Sequence, residues 1–245
     1  MPFRRTSIDS NQSTGFYSPK RSRVVGSRTI GIVDPDFSSV SLLLHMDGTN
    51  GSTTFTDSSS NALTATANGN AQISTAQSKF GGASGLFDGS VDNLTVSNAV
   101  LNIASSGDFT WEGWFYATST GGYKCIINND FGFSTTPRLY LKNNNLLGYI
   151  GSFDRISHQT TVTTNTWHHF AMVRASNVTH VYLNGVQSST SYTYSSASSN
   201  NMRIGSDTGA NSQDFTGYLD DIRITKNVAR YTSNFTPATT AFPNS

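Results

Sequence analysis

From about residue 40 to the C-terminus, short runs of alternating apolar and polar residues recur between turn-forming Gly, Asn, Asp and Ser. In residues 109–116, Phe109, Trp111, Gly113 and Phe115 share one face by the two-residue period of a strand, and Thr110, Glu112, Trp114 and Tyr116 share the other. Aromatics on both faces predict a central strand, and residues 167–174 read the same way. Residues 41–46 form a short apolar run closed by Asp47-Gly48, which predicts a strand and turn. In residues 180–186, Asn184-Gly185 lies between β-formers and supplies the two positive-φ positions of a type I′ hairpin. Further strands are expected at 123–127, 138–142, 146–150, 202–205 and 218–225. Asp220 and Asp221 alternate faces in the last of these, so one should point inward and need a partner. No long 3.6-residue pattern and no internal repeat is present, which favours a sandwich or barrel over helical layers, propellers or β-helices.

Residues 1–39 lack periodicity. Phe3, Phe16, Tyr17, Val24 and Val25 are isolated among Ser, Arg, Gly and Pro. Residues 1–30 carry Arg4, Arg5, Lys20, Arg21, Arg23 and Arg28 against Asp9 alone, a net +5, while the remainder carries −4. Such a segment buries too little to fold alone. The reading is therefore a basic arm, 1–39, with Pro35 near its end, joined to one domain, 40–245, that is large enough for its own core.

Charged residues make up 13% of the 245, about half the usual share. The domain surface must be mostly Ser, Thr, Asn and Gly. Cys125 is the only cysteine, so no intrachain disulfide forms, and its strand context predicts a buried thiol. No apolar run reaches the length of a membrane helix, and the arginine-bearing start lacks the apolar run of a secretory signal. His168 and His169 face opposite sides of one strand and cannot share a metal. Glu112 is the only glutamate, and no carboxylate lies two residues from it. No strand offers the i, i+2 carboxylate pair of a glycosidase, and no nucleophile elbow is present, so the chain reads as non-catalytic, requiring no cofactor.

Seven segments carry a family resemblance: Leu43 to Gly48, Asp57 to Asn61, Gly85 to Gly89, residues 109–116, Trp167 to Arg174, Val181 to Gly185 and Tyr218 to Ile224. In this order and spacing they resemble the concanavalin A-like, laminin-G-like jelly-roll family. The resemblance implies an all-β fold of two antiparallel sheets. It also implies a structural calcium near the sandwich rim, with Asp57, Asn61 and Asp221 as ligands by motif. The alternative for Asp57 and Asn61 is that they are turn residues bonding their own backbone. Asp88 and Asp92 bracket a second such turn. Glycan binding on this fold would use aromatics such as Tyr123, Tyr149, Phe153, Tyr192 and Tyr194. Tyr192 and Tyr194 share one face of a Ser/Thr-rich segment and are the pair favoured here, with cross-strand packing as the other reading.

The closing residues 228–237 resemble the endings of copies found in bacteriophage structural proteins. Together with the basic arm, this leads to the expectation of a virion protein, a capsid decoration or tail component. Its arm residues Arg4, Arg5, Phe16, Tyr17, Lys20, Arg21, Arg23 and Arg28 would anchor it to other virion proteins, and its sandwich would project outward. Host polysaccharide is a further expected partner, nucleic acid is disfavoured for want of a recognised module, and edge strands could pair copies of the chain. The second reading is a carbohydrate-binding, lectin-like module on a surface or secreted protein.

Overall fold

The computed structural model describes residues 33–129, 136–151, 153–195, 200–207 and 213–245. The expected arm residues Arg4 to Arg28 lie outside these. Among the described residues there are seventeen strands: β1 (Val40–Leu44), β2 (Thr54–Thr56), β3 (Thr64–Asn68), β4 (Gln72–Ser74), β5 (Ser84–Asp88), β6 (Asn93–Ser97), β7 (Phe109–Ala117), β8 (Tyr123–Asn128), β9 (Arg138–Lys142), β10 (Asn145–Ile150), β11 (Phe153–Ser157), β12 (Trp167–Ala175), β13 (Val178–Leu183), β14 (Val186–Gln187), β15 (Tyr192–Thr193), β16 (Asn201–Ile204) and β17 (Thr216–Lys226). Their ladders are antiparallel and make two sheets. A nine-stranded sheet runs β14-β13-β12-β7-β17-β5-β4, with β1 also on β17 and β15 on β13. An eight-stranded sheet runs β11-β10-β9-β8-β16-β6-β3-β2.

The two sheets enclose one main apolar core, to which Phe87, Phe109, Trp111, Phe115, Phe170 and Phe215 contribute. β7 is central as its pattern predicts, lying between β12 and β17. Phe109, Trp111 and Phe115 enter the core, whereas Thr110, Glu112 and Trp114 are buried on the outward side. His168 packs inward on Phe115 and His169 outward on Trp114, on opposite faces. Cys125 is fully buried, and burial pushes its thiol well up.

The outward side of β7 is buried because the chain's own C-terminal segment covers it. Thr110 Oγ1 donates to the Val228 carbonyl (2.9 Å), and the Phe235 N–H donates to the Gly185 carbonyl (2.9 Å). The Tyr231 and Phe235 rings stack on each other and lie against Tyr182. The Asn184-Gly185 hairpin forms as expected, at φ 51° and 80°. Its glycine serves a second purpose, since a Cβ there would stand 1.9 Å from the Phe235 carbonyl oxygen.

Beneath this cover lies a buried ionic network. Arg223 donates from Nε (3.0 Å) and Nη2 (2.7 Å) to Glu112 Oε1, and Tyr231 donates its hydroxyl to Oε2 (2.7 Å). Arg223 Nη1 also donates to Asp34 (2.9 Å), and Arg230 donates to both Asp34 oxygens (2.9 and 2.8 Å). Asp34 is therefore built into the body, and its N–H donates to the Ser245 carbonyl (2.7 Å). The compact unit begins at Val33, seven residues before the boundary expected from sequence. The sequence reading missed this because a lone Asp beside Pro35 carries no apolar signal. Burial alone would raise the Glu112 carboxyl. The His169 ring 3.6 Å away, the Arg223 charge and the Tyr231 hydroxyl outweigh it and bring Glu112 down to about 2.

β17 carries a bulge at Asp220 and Asp221, with Asp221 at φ 50°. Here its second partner changes from β5 to β1. The simple alternation expected for this pair is overturned, because the bulge buries both carboxylates. Asp220 Oδ2 accepts from the Lys79 and Phe80 N–H groups (2.7 and 3.1 Å), and Asp221 accepts from the Phe242 N–H (2.8 Å) and contacts His45 Nδ1 (2.6 Å). Burial, with Asp221 and Asp47 nearby, raises Asp220 to about 7 against the pull of its two N–H donors.

These groups give the fold two expected pH limits. Glu112 is lowered from 4.5 to about 2, so its contribution, on the order of 3 kcal/mol, is present above pH 4.5 and lost as pH falls through 2. Asp220 is raised from 3.8 to about 7, so its contribution is present below pH 3.8 and lost as pH rises through 7. Thermal melts of Glu112→Gln should lack the acid-side dependence, and those of Asp220→Asn the dependence between pH 4 and 7. Unchanged slopes would refute the assignments. Gly185→Ala should lower stability by about 2 kcal/mol or more, read as a shifted urea midpoint at constant m.

Candidate functional site

The strands β2, β3 and β6 read Thr-Phe-Thr, Thr-Ala-Thr-Ala-Asn and Asn-Leu-Thr-Val-Ser. Phe55, Ala65, Leu94 and Val96 enter the core, so Thr54, Thr56, Thr64, Thr66, Thr95 and Ser97 face outward by the strand period. In β16 the inward Met202 and Ile204 leave Asn201 and Arg203 outward. In β9 the inward Leu139 and Leu141 leave Arg138, Tyr140 and Lys142 outward.

Register joins these positions across the whole eight-stranded sheet. Thr54, Thr66, Thr95, Arg203, Asn128, Arg138, Tyr149 and Asp154 stand opposite one another in sequence, one per strand from β2 to β11. Seven inter-strand steps make this row about 34 Å long. Beside it, Ser97 Oγ donates to Asn201 Oδ1 (2.6 Å). An open groove of about 380 Å³ is lined by Thr64, Thr66, Thr95, Val96, Ser97 and Asn201, and another of about 560 Å³ follows β2 and β3.

The row changes character along its length. Its β2-β3-β6 end offers hydroxyls. Its β8–β11 end carries an aromatic cluster in which Tyr123, Tyr140 and Tyr149 meet edge to face, with centroids 5.4, 5.6 and 6.2 Å apart. Tyr140 is buried, with its hydroxyl donating to Gln213 Oε1 (3.2 Å), and supports the half-buried Tyr123 and Tyr149. Tyr123 donates to Asp154 (3.0 Å), Lys142 Nζ donates to Asp154 Oδ2 (2.7 Å), and the same ammonium stands 4.0 Å over the Tyr123 ring. The Arg138 guanidinium lies 5.4 Å over Tyr149. The hydrogen bonds from Lys142 to Asp154 and Tyr123 raise the lysine, which stays charged. In the middle of the row, Asn128 Nδ2 and Arg203 Nη1 both donate to the Asp207 carbonyl (2.6 and 2.8 Å). Fixed aromatic edges, hydroxyls and an exposed ion pair can hold a polar ligand by stacking and hydrogen bonding.

The residues favoured from sequence are placed differently. Tyr192 and Tyr194 do share a face and stack (6.4 Å, 18°). Tyr194, however, belongs to the core, and burial raises its hydroxyl to about 12. The stacked pair sits between two guanidiniums in a ladder that runs Phe153, Arg155, Tyr192, Tyr194, Arg174, Phe109. This is the packing reading, and it corrects the glycan assignment for Tyr194. Tyr123 and Tyr149 were also legible as aromatics in strands, but only register shows that they converge with Tyr140, Lys142 and Asp154.

Nor are Asp57, Asn61 and Asp221 one ligand set. Asp57 Oδ1 accepts from the Leu43 and Ser59 N–H groups (both 2.9 Å), and Oδ2 from Ser59 Oγ and the Leu63 N–H (both 2.8 Å). Asn61 Nδ2 donates to the Val40 and Ser41 carbonyls in the same turn (3.1 and 3.2 Å). Asp221 shares no hydrogen-bond partner with either, being engaged by His45 and Phe242. These side chains are not gathered about a shared calcium ion: the Asp57 oxygens are taken by donors of its own turn, Asn61 turns its amide N–H groups to that turn, and Asp221 is engaged elsewhere. Asp92 likewise accepts from the Asp88 N–H (2.8 Å) and the Asn70 N–H (2.5 Å). Among the described residues, no three His, Cys, Asp or Glu side chains group as a metal site.

Comparison with known proteins agrees with this architecture. The family described as the concanavalin A-like lectin/glucanases superfamily matches residues 88–230. No curated protein matches the chain. Among solved structures, the botulinum neurotoxin serotype D binding domain is 16% identical at a TM-score of 0.58, covering 83% of this chain and 50% of that one. Domain 4 of the extracellular arabinanase AbnA from Geobacillus stearothermophilus, solved with arabinotriose, is 17% identical at a TM-score of 0.58, covering 78% of this chain and 94% of that one. The serotype D ligand-binding domain in complex with N-acetylneuraminic acid is 14% identical at 0.55, covering 82% of this chain and 49% of that one. This chain thus spans about half the length of the toxin domains it resembles, and at these identities the likeness is one of fold. With its two antiparallel sheets and a match over more than half its length, the chain belongs to the concanavalin A-like lectin/glucanase superfamily.

Proposed function

We propose that this protein is a non-catalytic, lectin-like carbohydrate-binding module whose ligand lies along the outward face of the eight-stranded sheet. The observation that carries the reading is the register-ordered row from Thr54 to Asp154, which offers hydroxyls at one end and the Tyr123, Tyr140 and Tyr149 cluster at the other, with the buried Asn128 bonded to Asp207 between them. A saccharide presents apolar C–H faces and a fringe of hydroxyls. Aromatic rings take the first, and hydroxyl, amide and ion-pair groups take the second. The saccharide complexes of structurally similar domains support this class of ligand.

The carbohydrate reading also accounts for more of the structure than a bacteriophage virion role does. The phage-like ending has a task within the fold: Arg230 pairs with Asp34, Tyr231 with Glu112, and Phe235 with Gly185 and His169. The surface chemistry of catalysis is weak as well. Glu112 is locked under the opposite sheet's cover, and Asp154 is held by Lys142 and Tyr123.

Tyr149→Ala and Tyr123→Ala should each weaken retention on the preferred glycan about tenfold, with little change in melting temperature, since both rings are half-exposed. A glycan array read with the wild-type chain, followed by affinity electrophoresis of both variants, measures this. Wild-type affinity in both variants would sink the assignment of this face.

A further inference from the structure

The nine-stranded sheet carries a second ordered row on its outward side, beyond the C-terminal cover. Register places Trp167, Tyr116, Tyr218, Leu86 and Gln72 opposite one another on five consecutive strands, β12, β7, β17, β5 and β4. All five are half-buried, and their chain neighbours His168, Phe115, Leu219, Phe87 and Ile73 point inward. Tyr116 meets Trp167 at 5.7 Å and 60° and Tyr218 at 5.8 Å and 79°, so the three rings form one tilted strip. Four inter-strand steps make the row about 19 Å long, the span of roughly four sugar rings.

The next rank along the strands is polar. Thr216 stands opposite Asp88, Thr118 Oγ1 donates to the Thr216 carbonyl (3.2 Å), and Asn70 Nδ2 donates to Asp88 Oδ2 (3.3 Å). On the other side the chain supplies its own roof. Phe80 packs edge-on against Trp114 (5.7 Å), and the Lys79 ammonium stands 3.9 Å over the Trp114 ring. The strip is thus bounded by a roof on one side and by hydroxyl, amide and carboxylate groups on the other.

We infer that this strip is a second saccharide-binding surface, which takes an extended neutral glycan chain laid across the five strands. The inference rests on the carbohydrate reading for its ligand class alone. Neither rank contains a cation, and the bordering Lys79 ammonium is drawn over the Trp114 ring, whereas a nucleic acid, an anionic lipid surface or an acidic polysaccharide would require several cations facing it. Apolar rings beside Thr118, Thr216, Asp88 and Asn70 match a chain whose C–H faces lie on the rings and whose hydroxyls reach the polar rank. With sites on both sheets, the module could hold two chains at once and gain avidity from the pair.

Tryptophan fluorescence tests this without a variant. The chain has three tryptophans, and Trp111 and Trp114 are 0% and 6% exposed, so acrylamide quenching reports Trp167. Hydroxyethylcellulose, xylan and linear arabinan are the probes, each also run by affinity electrophoresis. The expected result is protection of Trp167 by at least one of them. That protection persists in Tyr149→Ala and is about tenfold weaker in Tyr218→Thr, whose β-branched residue suits the strand. Retention of a probe without protection of Trp167 would overturn the second surface and leave the first standing. Loss of protection in Tyr149→Ala would reduce the two surfaces to one. No retention of any probe by the wild-type chain would overturn both.

Discussion

The buried Glu112–Arg223 pair is the interaction on which the architecture turns. Removing a carboxylate and a guanidinium from water is unfavourable unless every lone pair and N–H finds a partner. Here the partners come from three distant parts of the chain: Asp34 at the start of the body, Arg223 in the last strand, and Tyr231 and Arg230 in the segment that follows. Removing one partner strands the others, so the network makes the C-terminal cover an all-or-none part of the fold. It also explains why the only glutamate in the chain is unavailable for chemistry.

That cover makes the two sheets unequal. On the nine-stranded sheet it hides Glu112, His169 and Tyr182, and the loop at Lys79 and Phe80 roofs Trp114. The strip from Trp167 to Gln72, with the polar rank of Thr118, Thr216 and Asp88 beside it, remains at least half-exposed. On the eight-stranded sheet the outward positions include threonines at one end and tyrosines, arginines, Lys142 and Asp154 at the other, ordered by register. Function on this fold therefore follows from which face the chain covers for itself and which it leaves to a ligand.

The bulge at Asp220 and Asp221 is the second device that holds the nine-stranded sheet together. β17 cannot pair continuously with both β5 and β1, and the backbone groups around the change of partner need acceptors. The two carboxylates supply them to Lys79, Phe80 and Phe242. Gly113 opposite the bulge completes the fit, because a Cβ there would stand 2.5 Å from Ile222 Cδ1.

The chain's alternation determined the sandwich. The two-sided aromatic pattern of β7, the similar pattern of β12 and the Asn184-Gly185 turn are local signals, and each produced the element it implied. The Thr-rich strands β2, β3 and β6 were not legible, since Thr beside Ala or Ser gives little contrast between faces. Nor could sequence separate Tyr194, sunk in the core, from Tyr149 on a surface row, because exposure depends on what crosses above a strand. The Asp34–Arg230 pair spans 196 residues, and no local pattern carries such a contact. Local periodicity showed the strongly patterned strands and, away from the bulge at Asp220 and Asp221, which way their side chains point. Pairing order, the bulge and the C-terminal cover decided which of those side chains remain in reach of a ligand, because burial is a property of the assembled layers.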